Sequence, residues 1–208
     1  MCSEIHPWEN IFKNDGWPFY EPFPRFGEII QIFRDNGCCH ILDLGCGNGR
    51  HIVHLEKEGF RTVGVDISPT GLQLTQQRLV SEKLKTELVL ADIRFPLPFR
   101  NNSFDGLLST QVIHHARVAQ VRLAIHEIWR IISSDGLTFV TVSGKMDEDE
   151  EYEEIEPNTF VPLSGDEKGL PHHIFNVNEV REAFRAFILE DVSVRAEGHV
   201  IAILARKP

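Results

Sequence analysis

The chain has 208 residues, 42% apolar and 25% charged, with a formal charge of −10, a composition that fits one folded domain and excludes a fibrous or low-complexity chain. No apolar run approaches the roughly 18 residues of a membrane span, and MCSEIHPWENIF lacks the basic start and apolar core of an export signal, so a cytoplasmic protein is expected. Eight acids lie in DEDEEYEEIE, Asp147 to Glu156, and without them the formal charge is −2; the absence of a broad basic face argues against a nucleic-acid partner.

In chain order, residues 1–36 read as a cap. HPWENIFKNDGWPFYEPFPRF, His6 to Phe26, is rich in aromatics and prolines, too broken for a long helix yet able to fold over a ligand as a lid. Trp17, Phe19 and Tyr20 are the expected lining residues, with sealing of a terminal core as the alternative role. Cys2, Cys38, Cys39 and Cys46 show no paired metal spacing, so reduced thiols are expected, Cys46 as a small apolar filler.

From there, short β-rich runs alternate with helical segments, the pattern of a parallel sheet with crossover helices. HILDLG, RTVGVDI, ELVLADI, FDGLLST and GLTFVTVSG read as five strands. Ser68 and Pro69 open a helix after the second, as cap and first helical residue. Val118, Val121, Ile125, Ile128 and Ile132 form one buried helical stripe before SSDG, Ser133 to Gly136, breaks it. Residues 144–175 form an acidic insert, expected as one wall of a substrate site; its run Asp147 to Glu156 reads as a solvated loop, with docking of a partner as the alternative. Asn176 and Glu179 suggest a capping box, and EDVSVRAEGHVIAILA reads as a closing antiparallel hairpin turning at Glu197 and Gly198.

The glycine loop in ILDLGCGNGRH, Ile41 to His51, follows the first strand. A G-x-G-x-x-G dinucleotide fingerprint would place its third glycine at Arg50, and Gly49 comes one residue early. Asp43, Asp66 and Asp92 each fall near the carboxyl end of a successive strand, the edge where open α/β sheets bind ligands. Three carboxylates repel a pyrophosphate and favour a cationic nucleoside.

LDLGCGNG, VGVDIS, LADI and LPFRNNSFDGLLSTQVIHH follow in order, and with them the chain resembles the class I S-adenosylmethionine-dependent methyltransferases from about Ile41 to Val142. It looks most like the small-molecule, type 11-like subgroup. With the strand pattern, this implies one Rossmann-like α/β domain over residues 1–208: a seven-stranded, mostly parallel sheet of order 3-2-1-4-5-7-6, last strand antiparallel, helices on both faces. The resemblance implies S-adenosylmethionine as cofactor. The loop Gly45, Cys46, Gly47 and Gly49 would pass under its methionine part, with Asp43 near the ammonium. Asp66 would accept from the ribose hydroxyls, Asp92 from the adenine amino group and Ile93 N–H would donate to the ring. Ile67 would cover an adenine face and Gln111 border the reacting methyl.

His114, His115, His172 and His173 are expected as structural or substrate-lining residues, with His115 the candidate general base. No metal is expected, because adjacent histidines on a strand point apart and no third ligand can be placed. The expected reaction is methyl transfer to a small molecule. An NAD-dependent oxidoreductase, a non-catalytic binding module, and an RNA methyltransferase drawing on a partner's basic surface are the alternatives; the oligomeric state is open.

Overall fold

The computed structural model describes residues 6–15, 20–147 and 149–208. In chain order its elements are α1 (Pro7–Asp15), α2 (Phe26–Asp35), β1 (His40–Leu44), α3 (Ile52–Lys57), β2 (Arg61–Asp66), α4 (Pro69–Ser81), β3 (Glu87–Leu90), β4 (Phe104–Thr110), α5 (Val118–Ile131), β5 (Ile132–Ser143), β6 (Tyr152–Glu156), β7 (Thr159–Pro162), β8 (His172–His173), α6 (Val177–Ala183), β9 (Ile188–Arg195) and β10 (Val200–Arg206). None of the described helices is long and apolar enough to cross a membrane.

The main sheet has the order β3-β2-β1-β4-β5-β10-β9. Strands β1 to β5 pair in parallel, and only β10 runs antiparallel to its neighbours β5 and β9. This is the order expected from the sequence, with β9 and β10 as the predicted hairpin. Central strands are buried on both faces, so their side chains alternate between two cores rather than between core and water. On β5, Leu137 and Phe139 face the cluster with Phe26, Ile29 and Phe33 of α2, while Val140 and Val142 face the cluster with Val121, Ile125 and Ile128 of α5. Both helical stripes are thereby consumed.

Local signals operate as the sequence suggests at two helix starts. Ser68 Oγ accepts from Gly71 N at 2.9 Å, with Pro69 at the first helical position. Asn176 Oδ1 accepts from Glu179 N at 3.0 Å, but the Glu179 carboxylate turns to His173 Nε2, 2.9 Å away, leaving the capping box half made.

Two expectations are corrected. The helix ends at Ile131, before SSDG: Ile132, expected on the helical stripe, already starts β5, and pairing jumps from Phe104↔Ile132 to Gly106↔Leu137. Residues 133–136 bulge out there, with Asp135 at φ 63°. The acidic run is not simply a solvated loop either, since Tyr152–Glu156 is a strand of a second, antiparallel sheet of order β6-β7-β8. Its acids disguise a hairpin that turns at Pro157 and Asn158, the latter at φ 59°.

Candidate active site

Past Leu44 the chain enters the glycine loop, which is tied down from several sides. Gly45 N and Cys46 N donate to Val65 O at 2.7 and 2.9 Å, Thr75 Oγ1 donates to Gly47 O at 2.7 Å, and Gly47 N donates to Asp66 Oδ2 at 2.7 Å. Gly47 has φ 54° and a Cβ there would come within 2.9 Å of the Phe12 ring of α1. Gly49, at φ 77°, instead packs against α4, where a Cβ would meet Thr75 Cγ2 at 2.7 Å. A bare backbone therefore serves both the cleft and the helix behind it.

The three strand-end aspartates occupy three different environments. Asp43 is buried beneath the loop and neither carboxylate oxygen has a hydrogen-bond partner. Desolvation pushes its pKa up to about 7, against the pull of the Arg50 guanidinium. His51 Nδ1 lies 4.0 Å from Asp43 Oδ2, but burial holds that imidazole neutral, so the pair is not an ion pair at neutral pH. Phe23 N donates to His51 Nε2 at 3.1 Å, which puts the ring proton on Nδ1, towards Asp43. Asp66 accepts from Gly47 N and, at 2.8 Å, from Ser68 N; burial still raises its pKa to about 6. Asp92 is half-buried and gripped by Arg94, whose Nε and Nη2 lie 2.9 and 2.7 Å from Asp92 Oδ2. Burial opposes its charge, but the guanidinium outweighs burial and lowers its pKa.

Above the loop lies a cleft of about 690 Å³, within the range of small-molecule sites. Gly45, Cys46, Gly47, Asp66, Ile67, Asp92, Ile93 and Gln111 all border it, together with His114, His115 and His172. Gln111 sits at φ 58°, its N–H bonded to Thr141 Oγ1 at 2.9 Å, so its backbone is held in a left-handed turn at the cleft edge. The Cys46 thiol packs with Ile52, Val53 and Leu79, and burial pushes its pKa well up, as suits an apolar filler. Asp43 and Gly49 lie behind the wall rather than on it.

The expected substrate residues divide. Trp17 and Phe19 lie outside the described residues. Tyr20 is 61% exposed and stacks on Arg78, whose guanidinium carbon is 4.4 Å from the ring centre, so it does not line the cleft. His173 is also withdrawn: it is buried between Thr159 Oγ1 at 2.8 Å and Glu179 Oε1 at 2.9 Å, where it fixes the insert. His114 and His115 sit not on a strand but on the turn after β4, and they converge with His172 of β8. Ring centres are 4.0 Å apart for His114 and His115, and 4.7 Å for His115 and His172.

Other wall residues escaped the sequence reading. His6 precedes α1, Trp8 and Phe12 come from α1, Arg94 from the turn after β3, and Arg195 and His199 from the hairpin. The spacing of Trp8 and Phe12 by four places both rings on one helical face, a signal present in PWENIF. The insert does wall the cleft, through Lys145, Met146, Asp147, Glu150, Tyr152 and Glu167. A site with so many carboxylates, and buried Asp43 oxygens lacking a partner, suits a cationic ligand of nucleoside size.

A family described as a methyltransferase domain matches residues 42–140 of the chain. Over 84 residues the chain is 36% identical to the 18S rRNA (guanine-N(7))-methyltransferase bud23 of Schizosaccharomyces pombe, covering 40% of this chain and 30% of that protein. The chain spans 25 to 30% of the length of this and two similar curated relatives. Among solved structures, the PH0226 protein of Pyrococcus horikoshii OT3 superposes with a TM-score of 0.75 at 18% identity, covering 96% of this chain and 99% of that one. The 1,6-didemethyltoxoflavin-N1-methyltransferase of Burkholderia thailandensis, solved with S-adenosylhomocysteine, gives a TM-score of 0.66 at 19% identity over 86% of this chain and 75% of its own.

Proposed function

We propose that the chain transfers a methyl group from S-adenosylmethionine to a small acceptor held in the cleft, a reading supported by the methyltransferase-domain match over residues 42–140 and by the order of the main sheet. The observation that carries this reading is the bare glycine loop set among Asp43, Asp66 and Asp92, with both Asp43 oxygens buried and unpartnered. An ammonium in the cleft, reaching towards Asp43 through water, would supply the positive partner that this buried carboxylate lacks.

Each Asp66 oxygen already accepts one backbone N–H and keeps a second lone pair, enough to receive two ribose hydroxyls while holding the loop. Asp92, whose oxygens accept from Arg94 N, Nε and Nη2 in the empty cleft, would take an adenine amino group in exchange for one of these contacts, with Ile93 N–H towards the ring and Ile67 against its face. Gln111 stands at the opposite, methionine end. Bound there, S-adenosylmethionine supplies a methyl group on a cationic sulfur that departs as a neutral thioether when the acceptor's lone pair displaces it in line.

The chain's own task is to align that acceptor and exclude water. Trp8 and Phe12 cover the cleft from α1, and the insert covers it from the other side. Burial holds His114, His115 and His172 neutral, so an imidazole can take a proton from an acceptor that must lose one, and His115, against Trp8 with ring centres 5.3 Å apart, is our candidate.

RNA is the second reading, favoured by the rRNA methyltransferases among the relatives. Asp147, Glu150 and Glu167 at the mouth oppose a polyphosphate backbone, which is why the small acceptor is preferred. Incubation with methyl-labelled S-adenosylmethionine and, separately, a small-metabolite extract and total RNA decides between them. Label in the metabolite fraction alone supports the proposal; label in RNA alone replaces it with the second reading, and no label in either removes both.

A further inference from the structure

The turn after β4 and the short strand β8 are far apart in sequence but are stitched together by one backbone hydrogen bond, His173 N to His114 O at 2.8 Å. That bond places the His172 side chain beside His114 and His115. Each of the three offers a ring nitrogen, and these nitrogens all lie within 4.8 Å of one another at the cleft wall.

The cluster is poorly satisfied. His114 Nδ1 and His172 Nε2 are buried without hydrogen bonds; the nearest carboxylate, Glu167, brings Oε2 to 3.3 Å from His172 Nε2 but without hydrogen-bond geometry. Buried polar atoms are normally paired, so two orphans in one cluster of imidazoles call for a partner. Aromatic packing of the rings does not supply one.

We infer that His114, His115 and His172 bind one divalent transition-metal ion of the zinc class, which would engage the His115 lone pair and so exclude His115 as a base in the loaded protein, leaving a position open towards the cleft for water or an acceptor atom. Imidazole nitrogens select zinc, cobalt or nickel over magnesium and calcium, which require oxygen. Metal–nitrogen bonds of about 2.0 to 2.1 Å need the nitrogens about 3.4 Å apart in a tetrahedral site, so the rings draw inward on binding. Glu167 is near enough to offset part of the added charge. The ion was not expected because the sequence offered adjacent histidines on a supposed strand; the turn removes that objection and β8 supplies the third nitrogen.

The test reads metal binding directly and does not depend on the methyl-transfer reading, which has its own cofactor assay. Full-length protein, stripped with chelator and dialysed, is titrated with Zn²⁺ by calorimetry and with Co²⁺ by visible absorption. One equivalent should bind with a dissociation constant of about 1 μM or tighter, and Co²⁺ should give the intense bands of a tetrahedral site. His172→Ala and His115→Ala should each weaken Zn²⁺ at least about a hundredfold, while His126→Ala, an exposed residue of α5, should not. Circular dichroism identifies any variant that fails to fold, and the remaining folded one decides. Absence of saturable binding to the unmodified chain, or affinity unchanged in a folded His172→Ala or His115→Ala protein, overturns the inference.

Discussion

Asp43 and Asp66 hold protons more tightly in the empty folded protein than in the unfolded chain, because burial raises them to about 7 and about 6 from an ordinary value near 4. Their contribution to stability is therefore full below about pH 4 and is lost as pH rises through 6 and 7. Asp43→Asn removes one such group, so it should stabilise the ligand-free protein by about 1 to 3 kcal/mol above pH 7 and little at pH 4. Thermal unfolding of both proteins across that range checks this; a pH-independent difference contradicts the buried, raised Asp43. A cationic ligand favours the ionised carboxylates, so S-adenosylmethionine should bind more weakly as pH falls from 7.5 to 5.5, by up to about tenfold per unit for one proton taken up. Calorimetric titrations over that range should show the loss, and a flat profile argues against both contacts.

Asp66→Ala should weaken S-adenosylmethionine roughly ten- to several-hundred-fold, since hydrogen bonds to a charged group contribute about 1.5 to 3 kcal/mol each. It also frees Gly47 N and Ser68 N, so the loop itself loosens. Glu153→Ala, exposed on β6, is the control; Asp147 cannot serve because it borders the cleft. A folded Asp66→Ala protein with unchanged affinity removes the ribose assignment. Asp66 was legible because a glycine loop and a strand-end acid are local signals. The withdrawal of His173 and Tyr20 was not, because which way those rings face is decided by Thr159, Glu179 and Arg78.

At the scale of elements, α1 is anchored by a single carboxylate. Glu9 is buried against the start of α4, accepting from Ser68 Oγ, Thr70 N and Thr70 Oγ1. Burial opposes its charge, but these hydrogen bonds dominate and lower its pKa to about 2. Its stabilisation is thus present above about pH 4.5 and lost as pH falls towards 2. Glu9→Gln should leave the sheet intact while α1 amides exchange at least about tenfold faster, as one charge-assisted anchor weakens. Hydrogen-exchange mass spectrometry reads this, and unchanged protection of α1 contradicts the anchor. That aromatic rings of this segment border the cleft was legible, but not that Trp8 and Phe12 sit on a helix, since Glu9 meets its partners only in the fold. β6 stayed hidden for a different reason: YEEIE looks solvated until β7 pairs with it.

Across the whole molecule, β-rich runs and helical stripes from His40 to Ser143 made a parallel sheet with a closing hairpin readable, and the strand order came from the family resemblance. The insert's docking on the turn after β4 was not, as it depends on the His173 N to His114 O bond between elements far apart in sequence. Where sheet, α1 and insert meet, the carboxylates of Asp66, Asp92, Asp147, Glu150 and Glu167 surround one cleft, a charge that favours a cationic nucleoside over a pyrophosphate. Isothermal calorimetry of the chain against S-adenosylmethionine, S-adenosylhomocysteine and NAD measures that preference. Saturable binding of one equivalent of each sulfur nucleoside and none of NAD is expected; saturable NAD binding with no heat from either sulfur nucleoside would overturn it.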